Sequence, residues 1–183
     1  AERCVNGMVL SLASYFDVED ARLDGLAAML IDSRVEDGGW NCNDYRGDTH
    51  HSSFNTTISV LEALHLWRLR TGSSAADEAI GTGQEVLLEH RLFRSHRTGE
   101  VINDAWTRLA FPPRWHYDVL RGLEHSREAC AVPDPRAADG IEIIRRRRRP
   151  DGRWPIGPRH AGVEHFRMEA GRGPGRWNTL RAL

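Results

Sequence analysis

Apolar positions along the chain follow helical spacing. The stripe i, i+3, i+4, i+7 is occupied by Leu23, Leu26, Ala27 and Leu30. Such a stripe predicts a helix with one wet face, capped by the acidic residues at 17–20. The segment from Cys4 to Tyr15 is apolar on most sides, which predicts a buried helix. Together they predict a first hairpin of an inner and an outer helix.

Two further hairpins follow in the same order. The second has an inner helix at 54–70 and an outer helix from Ser74, whose spacing to Asp77 approximates a capping box. The third has helices at 115–127 and 136–149, and a fourth inner helix begins near the end of the chain. We therefore predict a single domain, 1–183, with units of about 1–40, 41–101 and 102–154 and a fourth from about 155.

A turn sequence recurs between these helices. Asp-Gly-Gly-Trp at 37–40 is repeated as Asp-Gly-Arg-Trp at 151–154, with a degenerate copy at 97–101. The L-x-[AG]-L cores of the inner helices begin at Leu61, Leu120 and Leu180, in steps of 59 and 60 residues. A fixed period of this kind is typical of stacked helical units.

A D-G-x-W turn between two helices resembles the prenyltransferase and squalene oxidase repeat of terpenoid cyclases and protein prenyltransferases. The resemblance covers nearly the whole chain, with the strongest matches at 37–67, 86–123 and 144–183. It implies an all-α fold, an α/α toroid of hairpins, here as an open or incomplete ring. The Gln that the family places four residues before the Asp of its turn is replaced by Ser33 and Arg147.

In such a toroid the connections and the N-termini of the inner helices collect at one end. Helix N-termini favour an anion, and arginines and aromatic rings beside them suit an isoprenoid diphosphate or another amphipathic anion. The substrate-binding candidates are Arg114, Trp115, Arg176, Trp177, Asn55 and Asn178. For the two asparagines, helix capping or hairpin packing is the alternative.

Catalytic candidates stand at the same predicted end. They are His116, Tyr117, Asp118 and His50. Histidine carries protons near pH 7, so these residues could act as acid or base. A hydrogen-bonded set that locks neighbouring hairpins together is the alternative. For the turn residues Asp37, Trp40, Asp151 and Trp154 a structural role is the preferred interpretation.

Metal ligands are a further hypothesis. Cys42, Asp44, His50 and His51 lie within ten residues and could bind zinc. Protein prenyltransferases place an Asp before a Cys, whereas Cys42 precedes Asp44 here. The sequence has no D-D-x-x-D run for magnesium diphosphate, and the acidic residues at 17–20, which approximate the D-x-D-D signature of cyclases, are placed to cap a helix. Zinc and magnesium thus stay open alternatives.

The composition restricts the classes of partner and the cellular location that we expect. The formal charge is −1 and every basic residue is Arg. The run Arg145–Arg149 is interpreted as a solvated helix end rather than a nucleic-acid site, because five successive residues spread around a helix. Three cysteines without a C-x-x-C pair argue against a disulfide framework and favour a cytoplasmic location. No apolar run approaches the length of about 20 residues that spans a bilayer.

Two classes of function stay open at this point. One is an enzyme of the prenyltransferase or terpene cyclase type, with a small amphipathic substrate. The other is a non-catalytic helical-repeat module that binds a peptide or a protein partner, as an oligomer or as part of a larger ring.

Overall fold

The computed structural model describes residues 2–43, 49–130, 132–171 and 173–183, and this part of the chain is mostly helical. Its α-helices are α1 (Arg3–Tyr15), α2 (Arg22–Asp32), α3 (Phe54–Thr71), α4 (Ser74–Glu89), α5 (Val119–Ala129), α6 (Ala138–Arg147) and α7 (Arg176–Ala182). Two short strands, β1 (Trp154–Pro155) and β2 (Pro174–Gly175), pair antiparallel. The expectation of a mostly helical fold is confirmed.

The chain divides into two compact units, Ala1–Leu88 and Glu89–Leu183. Unit 1 contains α1, α2, α3 and nearly all of α4. Unit 2 contains α5, α6, α7 and the strand pair. The hydrophobic pattern, which predicts a single domain, gives no sign of this division.

Local capping sets the ends of several helices. Helix α3 stops where Gly72 adopts a left-handed φ of +69°. The cap of α4 comes from Ser73, whose Oγ accepts the N–H of Ala76 at 3.4 Å, and not from the predicted Ser74–Asp77 box. Helix α5 starts later than predicted because Asp118 caps it. The sequence thus predicts the type of capping residue, whereas the predicted positions of the caps are wrong by one to four residues.

Helix α3 is the core of unit 1 and packs against α1. Its buried residues cover most of the helix circumference, apart from the side of Leu66 and Leu69, and include Phe54, Thr57, Ile58, Leu61, Leu64 and Trp67. At the crossing with α1, a Cβ on Gly7 would lie 2.7 Å from the carbonyl oxygen of Ser59. Glycine therefore permits the close approach of the two helices.

The predicted burial of α1 on all sides is wrong. Only Gly7 and Leu10 of this helix are buried, and they lie on the side that faces α3. The opposite side carries an exposed apolar row, the α1 stripe, with exposed fractions of 48% for Val5, 49% for Val9, 58% for Leu12 and 70% for Phe16. The neighbouring helices α3 and α2 cover only part of the cylinder, so an all-round apolar sequence leaves the remaining side in solvent.

The first D-G-x-W turn is closed by three hydrogen bonds. Gly38, at φ +92°, donates its N–H to the Val35 carbonyl at 2.9 Å, and the Val35 N–H donates to the Gly39 carbonyl at 2.9 Å. The Asp37 carboxylate accepts the Gly39 N–H at 3.2 Å. Gly38 supplies the left-handed backbone, and Asp37 caps the turn, as predicted.

The second turn repeats these bonds. Gly152, at φ +80°, donates its N–H to the Arg149 carbonyl at 2.9 Å, and the Arg149 N–H donates to the Arg153 carbonyl at 2.8 Å. The Asp151 carboxylate accepts the Arg153 N–H at 3.1 Å. The two turns are therefore structural copies.

The degenerate turn at 97–101 keeps the same design with one extra residue. Gly99 has φ +75° and donates its N–H to the Ser95 carbonyl at 2.8 Å. The hydroxyl of Thr98 accepts the N–H of Glu100 at 3.3 Å, in the place of the Asp carboxylate. Three copies of one turn thus support the repeat.

The tryptophans of the two full turns are buried and satisfy a helix end. Trp40 donates its indole N–H to the Leu30 carbonyl at 2.6 Å, and Trp154 donates to the Ile144 carbonyl at 2.7 Å. Both oxygens lie in the last turn of an outer helix, α2 or α6, where carbonyls have no partner within the helix. The predicted structural role of both tryptophans is confirmed.

In each repeat, a threonine of the next inner helix binds the backbone of the turn's tryptophan. The backbone N–H of Trp40 donates to Thr57 Oγ1 at 3.1 Å, and that of Trp154 donates to Thr179 Oγ1 at 3.0 Å. Thr57 and Thr179 are each the fourth residue of their helix. These bonds define which residues of the two repeats are equivalent.

The equivalence of Thr57 and Thr179 corrects the repeat period that the sequence predicts. Leu61 is the eighth residue of α3, Leu120 the second of α5 and Leu180 the fifth of α7. The steps of 59 and 60 residues therefore join positions that are not equivalent. Likewise Asn178 corresponds to Thr56 rather than to Asn55, because each precedes the bonded threonine.

None of the helices in the described residues combines the length and the apolar composition needed to cross a membrane.

Candidate functional site

The predicted site residues fall into two groups, one in each unit. In unit 1 the connection before α3 lies beside the first turn, since Asp37 Oδ2 accepts the N–H of Ser52 at 2.8 Å. His50 lies at the surface with its Nδ1 3.1 Å from Glu36 Oε1. The carbonyl of His51 accepts the amide N–H of Asn41 at 2.8 Å. Catalysis by His50 stays a prediction.

Asn55 stands in the first turn of α3. Its carbonyl accepts the hydroxyl proton of Ser59 at 3.0 Å. The neighbouring Phe54 and Thr56 are buried. The position suits hairpin packing, and a ligand contact stays a prediction.

Cys42 is close to a second cysteine. Its Sγ lies 3.1 Å from Cys4 Sγ, at the start of α1. Burial, followed by the adjacent Cys42 sulfur, raises the pKa of the Cys4 thiol to about 12. The sequence interpretation, which considered Cys42 only as a metal ligand, does not anticipate this pair.

Within the described residues, the predicted metal ligands are not brought together into a site. Asp44 lies outside the described residues. Among the residues described, no group of three or more His, Cys, Asp and Glu side chains is placed to hold a metal ion. Zinc and magnesium therefore stay predictions from the sequence alone.

In unit 2, Tyr117 and Asp118 are buried in structural bonds. The hydroxyl of Tyr117 donates to the Leu92 carbonyl at 2.7 Å, and burial raises the pKa of Tyr117 well above its usual value. The Asp118 carboxylate accepts the N–H of Arg121 at 2.8 Å and that of Ala110 at 2.9 Å. Burial also raises the pKa of Asp118. These bonds favour the interlocking role that the sequence left open for both residues.

His116 is enclosed between two rings. The Trp115 ring stacks on it with centroids 3.8 Å apart, and the His160 ring stacks on it at 3.7 Å and 10°. Burial, with the positive charges of Arg114 and Arg121 behind it, lowers the pKa of His116. Burial and the adjacent His116 lower the pKa of His160. Both imidazoles are therefore neutral near pH 7.

The two predicted arginines bind the segment 159–169. Arg114 donates to the Ala161 carbonyl at 3.1 Å and reaches Glu164 at 3.4 Å. Arg176 donates to the Met168 carbonyl at 3.2 Å, and its backbone N–H binds the Glu169 carboxylate. Each arginine anchors one end of this segment.

Between these anchors the segment forms a cavity of about 590 Å³. Its lining residues are Arg159, His160, Ala161, Gly162, Glu164, His165, Phe166 and Arg167. We call it the 159–167 cavity. None of the six predicted substrate-binding residues is among this lining, although Arg114 is hydrogen-bonded to it.

Trp177 and Asn178 are placed for packing. The Trp177 ring stacks on Phe111 with centroids 5.0 Å apart. Asn178 is 1% exposed and donates to the carbonyls of Leu109 at 2.6 Å and Pro155 at 3.0 Å. Asn178 thereby joins three segments of unit 2.

Residues 159–167 are not among the site residues predicted from the sequence. The signal was a long connection between β1 and β2, with two histidines and two arginines in nine residues. Long connections without helices or strands of their own often carry function. Helical periodicity does not register such a segment.

Four arginines of the run at 145–149 are engaged locally, whereas Arg147 donates to Thr107 Oγ1 at 3.3 Å. Arg145 and Arg146 pair with Glu142 at 3.3 and 2.8 Å. Arg148 donates to the Gly152 carbonyl at 3.0 Å, and Arg149 pairs with Asp151 at 3.7 Å. The predicted helix end beside acidic neighbours is confirmed for Arg145 and Arg146.

No family model, curated protein or solved structure matches the chain.

Proposed function

We propose that the chain binds an amphipathic anion of the isoprenoid diphosphate type in the 159–167 cavity. The observation that carries the proposal is the lining itself. Four of its eight residues are Arg or His, and an aromatic ring stands among them. Arginine donates charge-assisted hydrogen bonds to phosphate oxygens, and an aromatic face suits an apolar tail.

The charge balance of the cavity supports an anion. The one carboxylate in the lining, Glu164, pairs with Arg159 at 3.1 Å and with Arg114 at 3.4 Å. Two arginines thus share one negative charge, and Arg167 adds a third positive group. His160, which is neutral near pH 7, would add a hydrogen-bond donor rather than a charge.

Apolar surface beside these charges supports an amphipathic ligand. Phe166 is 73% exposed, and Trp115 is 46% exposed. Trp115 connects to the cavity through the stacked rings of His116 and His160. An apolar chain could cover these rings while its head group binds Arg159 and Arg167.

Membership of the α/α-toroid class belongs to the same proposal. The repeated turn, with its buried Trp and bonded Thr, supports it. A prenyltransferase or terpene cyclase reaction is its enzymatic form, with His116 as the proposed proton carrier.

Calorimetric titration of the full chain with farnesyl diphosphate tests the proposal. We expect binding, and weaker binding of farnesol and of inorganic diphosphate, each of which lacks one half of the ligand. Replacement of Arg167 by Ala should weaken binding by about tenfold to a hundredfold, the value of one charge-assisted hydrogen bond.

The matched control is Arg145→Ala. Arg145 has a side chain that is 77% exposed and does not line the cavity. Equal affinities of Arg145→Ala and Arg167→Ala, or no heat with farnesyl diphosphate at millimolar concentration, would exclude the cavity as an anion site.

A second candidate function is the binding of an amphipathic helix with basic flanks from a partner protein. The α1 stripe favours it, because Val5, Val9 and Leu12 have the spacing of a helix-in-groove contact. Exposed Glu2 and Glu19 flank the row, which suits a basic partner.

A labelled basic helical peptide of Leu and Lys provides the probe, with fluorescence anisotropy as the readout. Leu12→Asp should remove the binding without loss of helicity, since Leu12 is 58% exposed. Unchanged anisotropy with the unmodified chain would reject this candidate.

A further inference from the structure

We infer that Cys4 and Cys42 form a reversible disulfide by exchange with a small-molecule disulfide such as oxidised glutathione. The inference is independent of the ligand proposed for the 159–167 cavity, because both cysteines lie in unit 1. It makes the start of α1 a redox modification site.

The two sulfur atoms are already in contact. Cys4 Sγ and Cys42 Sγ lie 3.1 Å apart, although the residues are 38 positions apart in the chain. A covalent S–S bond measures about 2.05 Å, so a shift of about 1 Å is sufficient. Both side chains are partly exposed, which leaves them open to a reagent.

Donors from two helices converge on Cys42 Sγ. The backbone N–H of Cys4, in the first turn of α1, donates to it at 3.3 Å. The hydroxyl of Thr56, in the first turn of α3, donates to it at 3.4 Å. These two donors hold Cys42 Sγ beside Cys4 Sγ, and we assign Cys42, the sulfur that they position, as the attacking group. Cys4 is then the resolving thiol.

The exchange balances in two steps. The Cys42 thiolate attacks one sulfur of oxidised glutathione, forms a mixed disulfide and releases one glutathione thiolate, which carries off the electron pair. Cys4 then gives its proton to solvent base, attacks Cys42 Sγ and releases the second glutathione. Two protein thiols are oxidised and one glutathione disulfide is reduced to two thiols.

The bond would tie α1 to the segment that follows the first turn. Cys4 is the second residue of α1, and Cys42 follows Trp40 by two residues. Closing a loop of this length restricts the unfolded chain. We expect the oxidised chain to have a Tm higher by about 5 °C or more than the reduced chain.

Cys130 provides an internal control. It lies in unit 2, and burial raises the pKa of its thiol. Replacement of Cys130 by Ser should leave the reaction of the other two cysteines unchanged.

The experiment equilibrates the full chain with defined ratios of oxidised to reduced glutathione, quenches with acid and alkylates the remaining thiols. We expect the alkylated count to fall from three to one, and peptide mapping to join the Cys4 and Cys42 peptides. In Cys4→Ser, a glutathione adduct should accumulate on Cys42.

Three alkylated thiols at a ratio that fully oxidises dithiothreitol would overturn the inference. A disulfide that includes Cys130 would overturn it as well. An adduct on Cys4 in Cys42→Ser, with none on Cys42 in Cys4→Ser, would reverse the assigned order of attack and contradict the donor geometry.

Discussion

Trp40 and Trp154 make the same hydrogen bond in two different repeats. Each indole N–H donates to the carbonyl oxygen of the residue ten positions earlier, Leu30 or Ile144. In both repeats that carbonyl ends an outer helix. An aromatic side chain thus donates to each helix end, and at Leu30 it does so beside the N–H and hydroxyl of Ser33, which donate to the same oxygen at 3.3 and 3.2 Å.

We therefore expect both Trp40→Phe and Trp154→Phe to lower the free energy of unfolding, by about 1–3 kcal/mol for Trp154→Phe and by less for Trp40→Phe, because the Leu30 carbonyl keeps its bonds from Ser33. Phenylalanine keeps the apolar ring and removes the N–H donor, which leaves a buried carbonyl without that bond. Guanidinium unfolding measures the loss. Trp115→Phe, at a half-exposed position, is the control and should change stability by less than about 0.5 kcal/mol. A loss at only one of the two tryptophans would mean that the bonds are not equivalent.

Replacement of a glycine by alanine should have opposite effects on stability in helices α1 and α2. Gly7→Ala places a methyl group 2.7 Å from the Ser59 carbonyl oxygen and should destabilise unit 1 by about 1–3 kcal/mol. Gly25→Ala meets no atom within 4 Å and should stabilise α2 by up to about 1 kcal/mol. Thermal unfolding of the two variants measures both changes. A gain of stability with Gly7→Ala would refute the close packing of α1 on α3.

The variant Asn178→Ala distinguishes a structural role of this residue from a role in ligand binding. Asn178→Ala removes one hydrogen bond to the buried carbonyl of Leu109 and one to the partly buried carbonyl of Pro155, and should cost about 1–3 kcal/mol of stability. Its affinity for farnesyl diphosphate, measured well below the Tm, should stay unchanged. If affinity falls while the unfolding midpoint stays constant, the substrate contact predicted from the sequence is the correct role.

Stability should fall on acidification below about pH 6.5. The pKa values of His116 and His160 are lowered by burial and by nearby positive charge, so the unfolded chain binds protons first. Their contribution is fully present above the usual imidazole pKa and is lost as pH falls through the lowered values. His160→Gln should flatten the dependence of Tm on pH without abolishing it, because burial also lowers the pKa of His65. An unchanged slope in His160→Gln would exclude the stacked pair as a source.

Much of the helical framework could be predicted from the sequence, because turn chemistry and helical spacing are local. The Gly of the D-G-x-W turn and the apolar stripe of α2 each signal their structure over a few residues. The burial of α1 could not be predicted, because it depends on how many helices cover it. The same holds for the contacts of Cys4 with Cys42 and of His116 with His160, which join residues far apart in the chain and leave no periodic trace.

The two tryptophan–threonine bonds close connections of different length. Trp40 and Thr57 are 17 residues apart, whereas Trp154 and Thr179 are 25 apart, yet both pairs meet with the same geometry. The longer connection carries the 159–167 cavity. The entropy cost of closing a loop grows slowly with its length. The eight additional residues of the longer connection therefore add little to the free-energy cost of bringing Trp154 and Thr179 together. The fold therefore separates a scaffold of turns and helix ends from an insert whose length and sequence can vary while the scaffold stays the same.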